Sequence, residues 1–291
     1  LLRSHLYAPG ASAKILGKVL DAGADAVILD LEDAVAASEK AVARRMVADV
    51  VATRAAAAPC EVHVRINRTD DGWDTTDVRA VTAPGLASLR LAKAEDPDHV
   101  RAVDELLGKL EADAGLEPGS VGLIPLIETA VGVLVALDIA RASARVTSLA
   151  FGAADFLADI TGRGEEDGAP TLYARSHLVL ACRVASVGAP SDGVHTTIDD
   201  DEGLRRAAVR ARDLGYFGKS CIHPRQLAVV HDVFTPNADE LSWARRIVSA
   251  LDEADRDGIA AIVVEGEFVD PAVAARARAL LALAPEAHGA D

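Results

Sequence analysis

Glu128 and Asp155 each follow an apolar run, 121–127 and 146–151, that reads as a strand buried on both faces. Burying an isolated carboxylate costs several kcal/mol, so a charge at the mouth of an apolar strand calls for a partner. A divalent cation supplies one, and Mg²⁺ commonly takes only one or two protein carboxylates and completes its shell with water. The pair is therefore a candidate Mg²⁺ site. Each residue also has an ordinary structural use: Glu128 suits the first turn of a helix, and Asp155 suits a helix N-cap.

Further acidic and basic residues fall at the ends of other apolar runs. Asp30, Glu32 and Asp33 close one, where Glu32 and Asp33 can hydrogen-bond metal-bound water or simply cap a loop. Arg65 sits in VHVRIN (62–67), an apolar stretch with no other use for a cation. Its guanidinium can grip a ligand carboxylate with two parallel hydrogen bonds, or pair with Glu32 or Asp33. Lys93 ends another run and admits a Schiff base or a structural ion pair. The sequence GYFGKS (215–220) fails the phosphate-loop pattern, because the first glycine of that motif would fall at Asp213. No HExxH or GxSxG pattern occurs.

What must position these groups is a repeated strand-then-helix unit. Strands are predicted at 5–8, 26–31, 61–66, 88–92, 121–127 and 146–151, then near 193–196 and 219–222. Helices are predicted at 14–22, 40–53, 100–114, 173–186 and 202–214. About eight such units in roughly 250 residues is what a TIM (β/α)8 barrel requires, and its active sites sit at the strand C-termini. No glycine-rich dinucleotide turn follows the first strand, which disfavours a doubly wound sheet. Residues 1–236 are assigned to the barrel. Residues 237–291 form a C-terminal extension: a helix over 238–254, a hairpin of 262–264 with 268–269, and a helix starting at Asp270-Pro271. That extension is too small to fold alone and is expected to dock on its own or a neighbouring barrel. On spacing alone Asp270 is a helix cap.

Half of the 291 residues are hydrophobic and only 3% aromatic, so the core must be aliphatic and rich in alanine. The net charge of −15, with no basic stripe, argues against a nucleic-acid partner. Three cysteines without a CxxC pair read as reduced core thiols. No apolar run is long enough for a membrane span and no signal-like start is present, so a cytoplasmic protein with no membrane partner is expected.

Several segments together resemble the citrate lyase β-subunit-like branch of the HpcH/HpaI aldolase superfamily, which includes malyl-, citramalyl- and citryl-CoA lyases. They are RSHLYAPG (3–10), GADAVILDLEDAV (23–35), VRIN (64–67), LAKAE (91–95), IET (127–129), FGAAD (151–155), YAR (173–175) and GKSCIHPRQ (218–226). They cover nearly the whole chain in order. The match departs at Ala92, where proline often precedes the lysine. The resemblance implies a homotrimer or a dimer of trimers, with Mg²⁺ on Glu128 and Asp155. It implies that Arg65 contacts the oxo acid or the developing enolate, and that Arg3 and nearby basic residues, Lys93 included, help hold coenzyme A or the substrate. EGEFVDPAV (265–273) looks like a tail segment whose aspartate, here Asp270, acts as acid/base in a neighbouring subunit's site. The implied activity is Mg²⁺-dependent cleavage or formation of a 3-hydroxyacyl-CoA, giving acetyl-CoA and a 2-oxo acid such as glyoxylate, pyruvate or oxaloacetate. Two alternatives stand beside it: a metal-dependent aldolase acting on free 2-keto-3-deoxy acids without coenzyme A, and a non-catalytic or partner-dependent citrate lyase β-type subunit.

Overall fold

The computed structural model describes residues 2–165, 168–256 and 258–284, so the ends of the two assigned ranges, 1 and 285–291, lie outside the described residues. The chain divides into two compact units, Leu2–Val230 and a second beginning at His231.

The first unit is built on a seven-stranded sheet. Its strands are β1 (Ser4–Pro9), β2 (Ala26–Asp30), β3 (Glu61–Ile66), β4 (Leu86–Leu91), β5 (Gly122–Ile127), β6 (Ala150–Phe151) and β7 (Lys219–Cys221). They run parallel in the order β6-β5-β4-β3-β2-β1-β7. Every residue of β2 and of β5 is buried, as continuous apolar runs in a sheet covered on both faces should be. The connecting helices include Lys40–Arg54, Pro97–Ala114, Ala169–Ala185 and Asp201–Leu214. Asp96 caps the second of these with Pro97 behind it, and Gly115 stops it in the left-handed conformation, so its bounds are set by local sequence.

The expectation of a closed eight-stranded barrel is corrected: the seventh predicted strand, near 193–196, forms no ladder. Two single parallel bridges, Ala150 with Ser191 and Asp192 with Lys219, stand between β6 and β7 instead. Pro190 has no N–H to donate and Gly193 follows directly, so only two residues are left to pair. Side chains anchor the segment in place of a ladder. Buried Asp192 accepts from Arg175 Nη2 at 2.9 Å and from Lys219 Nζ at 2.6 Å.

The interior below the strand C-termini is polar. Buried Arg90 donates to His5 Nδ1 at 2.7 Å, and more weakly to Ser191 Oγ at 3.3 Å and His63 Nδ1 at 3.4 Å. Burial, with Arg90 beside them, holds the His5 imidazole well below its ordinary range and the His63 imidazole at about 4. Both rings are therefore neutral acceptors for a single buried cation.

The second unit pairs a long helix, Ala238–Arg256, with a final one, Pro271–Leu281, and carries the hairpin Ile262–Val264 with Glu267–Val269. Ala244, Ile247, Leu251, Val269, Ala274 and Ala277 form its own small apolar core. Asp270 caps the final helix, its Oδ1 accepting from the N–H groups of Ala272 and Val273 at 2.9 and 3.0 Å.

Candidate active site

Parallel register sets the first contact of the site. Asp30 ends β2 directly beside Arg65 on β3, and Pro9 of β1 lies on the other side of Asp30. Arg65 accordingly forks onto Asp30, with Nε to Oδ1 and Nη2 to Oδ2 both at 2.7 Å. Its Nη1 lies 2.9 Å from Glu32 Oε2 and 3.4 Å from Asp33 Oδ2. Burial works against the Arg65 charge, but the hydrogen bond and charge of Asp30 outweigh it and raise its pKa. The guanidinium also lies over the Tyr7 ring, 5.1 Å from its centre.

Lys93 follows β4 in a left-handed conformation, φ 50°, uncommon for a residue with a side chain. The turn gives this residue two functions. Its backbone N–H donates to Glu128 Oε1 at 2.8 Å, while its Nζ reaches Glu32 Oε1 at 2.5 Å and Asp33 Oδ1 at 3.6 Å. Burial opposes the Lys93 charge, but the Glu32 hydrogen bond and the surrounding carboxylates raise its pKa. Such local strain is tolerated where neighbouring contacts fix the conformation.

Glu128 is buried at the end of β5, and burial together with the nearby Asp155 carboxylate pushes its pKa up to about 8. Asp155 lies in the first turn of the helix Ala153–Asp159, but the N-cap is Gly152, so Asp155 does not cap it. Among the described residues no donor or cation engages the Asp155 carboxylate. Gly152 packs so closely on Glu128 that any Cβ would strike the carboxylate oxygen Oε2. A cavity of about 380 Å³ opens over these groups, lined by Tyr7, Arg65, Glu128, Asp155, Asp33 and Ser220 among others.

The charge inventory fits a divalent cation. Arg65 and Lys93 face Asp30, Glu32, Asp33, Glu128 and Asp155, and the two cations are already paired with the first three carboxylates. Glu128 and Asp155 are left as hard oxygen donors on one cavity, and the Asp155 carboxylate raises the cost of ionising Glu128.

The structure brings together six of the residues predicted for the site: Glu32, Asp33, Arg65, Lys93, Glu128 and Asp155. It does not bring Arg3 to them. Arg3 precedes β1 and holds Asp25, which precedes β2, through Nε at 2.8 Å and Nη2 at 2.7 Å, at the opposite end of the strands. Asp270 belongs to the second unit, where its side chain serves as a cap. Sequence reasoning missed Tyr7, Gly152 and Ser220. Strand alternation points Tyr7 to the face opposite its buried neighbour Leu6, which was a usable signal. Nothing local marks the close approach at Gly152.

Asp30→Asn is expected to destabilise the protein by about 3 kcal/mol, the low end for breaking a buried pair, because Glu32 still faces Arg65. Urea unfolding measures this, and an unchanged midpoint would show that the fork adds no stability.

The family model described as HpcH/HpaI aldolase/citrate lyase matches residues 3–224, and the chain belongs to this family. Citrate lyase subunit beta of Escherichia coli K12 is 35% identical over 282 residues, covering 97% of this chain and 93% of that protein. A (3S)-malyl-CoA thioesterase of Cereibacter sphaeroides is 34% identical over 282 residues, covering 97% and 94%. The crystal structure of CitE from Mycobacterium tuberculosis in complex with magnesium, acetoacetate and coenzyme A superposes with a TM-score of 0.77 at 31% identity, covering 97% of each chain.

Proposed function

We propose that this protein is a Mg²⁺-dependent carbon–carbon lyase that cleaves, or in reverse forms, a 3-hydroxyacyl-CoA such as malyl-, citramalyl- or citryl-CoA. The observation that carries the reading is the uncompensated pair Glu128 and Asp155 on a cavity that Arg65 also lines. The relatives support it: a CitE structure holds magnesium, acetoacetate and coenzyme A, another holds oxaloacetate and magnesium, and a third relative is named a malyl-CoA thioesterase.

Glu128 and Asp155 would hold the cation, which when bound supplies Lewis acidity and a template for the substrate carboxylate and hydroxyl. Arg65, locked by Asp30 and Glu32, keeps one N–H of Nη2 for the oxo acid and presents it without reorganisation as charge moves to the enolate. Lys93 and Glu32 hold Glu128 and Arg65 in place. Asp270 takes the proton of the 3-hydroxyl, delivered from a neighbouring subunit of a homotrimer or dimer of trimers in the cytoplasm. The C–C bond then breaks, its electron pair passing to the acetyl-CoA enolate as the 2-oxo acid forms.

The deciding assay offers acetyl-CoA and propionyl-CoA with glyoxylate, pyruvate or oxaloacetate in Mg²⁺, and follows adducts and free acids by mass spectrometry. A Mg²⁺-dependent adduct supports the lyase and names its oxo acid, and free acid adds thioesterase action. Silence with metal bound overturns the stand-alone lyase in favour of a free-acid aldolase or a partner-dependent subunit.

Asp270→Asn is expected to lower kcat by about 10²–10⁴, the range for losing a general acid–base group. Asparagine caps helices as well as aspartate does, so the melting temperature should hold. Unchanged turnover would return Asp270 to its capping role alone.

A further inference from the structure

Among the described residues, Arg65, the cation that lines the cavity, is already tied to carboxylates, and so is the neighbouring Lys93. Arg65 is held by Asp30, Glu32 and Asp33, and Lys93 by Glu32 and Asp33. Tyr7 is different. It projects from β1 into the cavity that Glu128, Asp155 and Arg65 line, and its hydroxyl has no hydrogen-bond partner among the described residues. The ring is fixed under the Arg65 guanidinium, which is itself fixed by the Asp30 fork, so the phenol is held in one place. We propose that Tyr7 is a further substrate-contacting residue of this site, its neutral phenol donating a hydrogen bond to an oxygen of the bound 2-oxo acid.

The proposal rests on the lyase reading and adds a residue to it. Burial raises the Tyr7 phenol above its ordinary value of 10, against the pull of Arg65 and Arg90, so it is protonated at neutral pH. A neutral donor suits this position because it adds a hydrogen bond without a charge needing another carboxylate. The bland reading is that Tyr7 is only a flat surface on which Arg65 rests.

Tyr7→Phe separates the two, since it keeps the ring and removes only the O–H. The probe is pyruvate in saturating Mg²⁺, followed by calorimetry and by the near-ultraviolet tyrosine difference spectrum. Pyruvate should bind the variant about tenfold more weakly, about 1.4 kcal/mol, with Mg²⁺ affinity unchanged. The wild type should show a tyrosine perturbation on binding that the variant lacks. The chain has three tyrosines, with Tyr216 buried and Tyr173 exposed, so loss of the signal in the variant assigns it. Equal pyruvate affinity in the two proteins, or pyruvate heat in the wild type with no tyrosine perturbation, would overturn the proposal. Should the variant fail to fold, pyruvate binding by the wild type without a tyrosine perturbation still overturns the proposal. Absence of any Mg²⁺-dependent pyruvate binding by the wild type is a different failure: it removes the lyase reading, and this proposal with it.

Discussion

Asp155→Asn is expected to abolish Mg²⁺ binding and reduce kcat/KM about a thousandfold or more, because a bound cation contributes several kcal/mol of transition-state stabilisation. The substitution keeps the shape of the side chain and removes one of two carboxylates that have no cation of their own. Its effect on the metal-free protein has the opposite sign and depends on pH. Below pH 8 Glu128 is largely protonated and has no charge for Asp155 to repel. There the variant loses only a favourable carboxylate in the first turn of a helix, worth about 0.3–1 kcal/mol. Above pH 8 Glu128 ionises, and removing its neighbour relieves a buried repulsion. In EDTA the variant should therefore melt slightly below the wild type at pH 6 and above it at pH 9. Calorimetry with Mg²⁺ and melting curves at the two pH values check both halves. Full activity of the wild type in EDTA would sink the metal assignment itself.

Much of this site was legible because strand ends are legible. Glu128 and Arg65 interrupt or close apolar runs, and parallel strands bring their C-terminal ends to one place. The principal partner of Arg65 was not readable. Glu32 and Asp33 were the natural candidates, yet register puts Asp30 directly opposite, and register belongs to the pairing of strands rather than to either segment. The two-residue bridge at Ser191 and Asp192 was hidden for a related reason. Its stability comes from Arg175 and Lys219, far away in sequence, and not from a local apolar pattern. Arg3 shows the limit of carrying a role over by resemblance, since its fork onto Asp25 occupies the opposite ends of β1 and β2. Asp270 was read locally as a cap, and the cap is what its own helix displays.

The other large effect is the pH dependence of the metal-free protein. Glu128 has a folded pKa of about 8, raised by burial and by Asp155, against an ordinary 4.5. Between those values the unfolded chain has released this proton and the folded chain has kept it. Stability therefore falls as pH rises across that window. The contribution is full below about 4.5 and is lost as pH passes 8, an effect of at most about 5 kcal/mol at 1.36 kcal/mol per unit. Many carboxylates titrate in a chain of net charge −15, so the wild type alone cannot isolate Glu128. Glu128→Gln can, because its amide stays neutral at every pH. In EDTA the urea midpoint of the wild type should fall relative to this variant from pH 5 to pH 9. Saturating Mg²⁺ should cancel the fall in the wild type only, because the cation replaces the proton on Glu128. Below pH 8 that exchange also makes Mg²⁺ affinity rise about tenfold per pH unit, with release of about one proton on binding. If the wild type and Glu128→Gln keep parallel midpoints from pH 5 to pH 9, Glu128 is ionised throughout and the buried-pair account of the site is wrong.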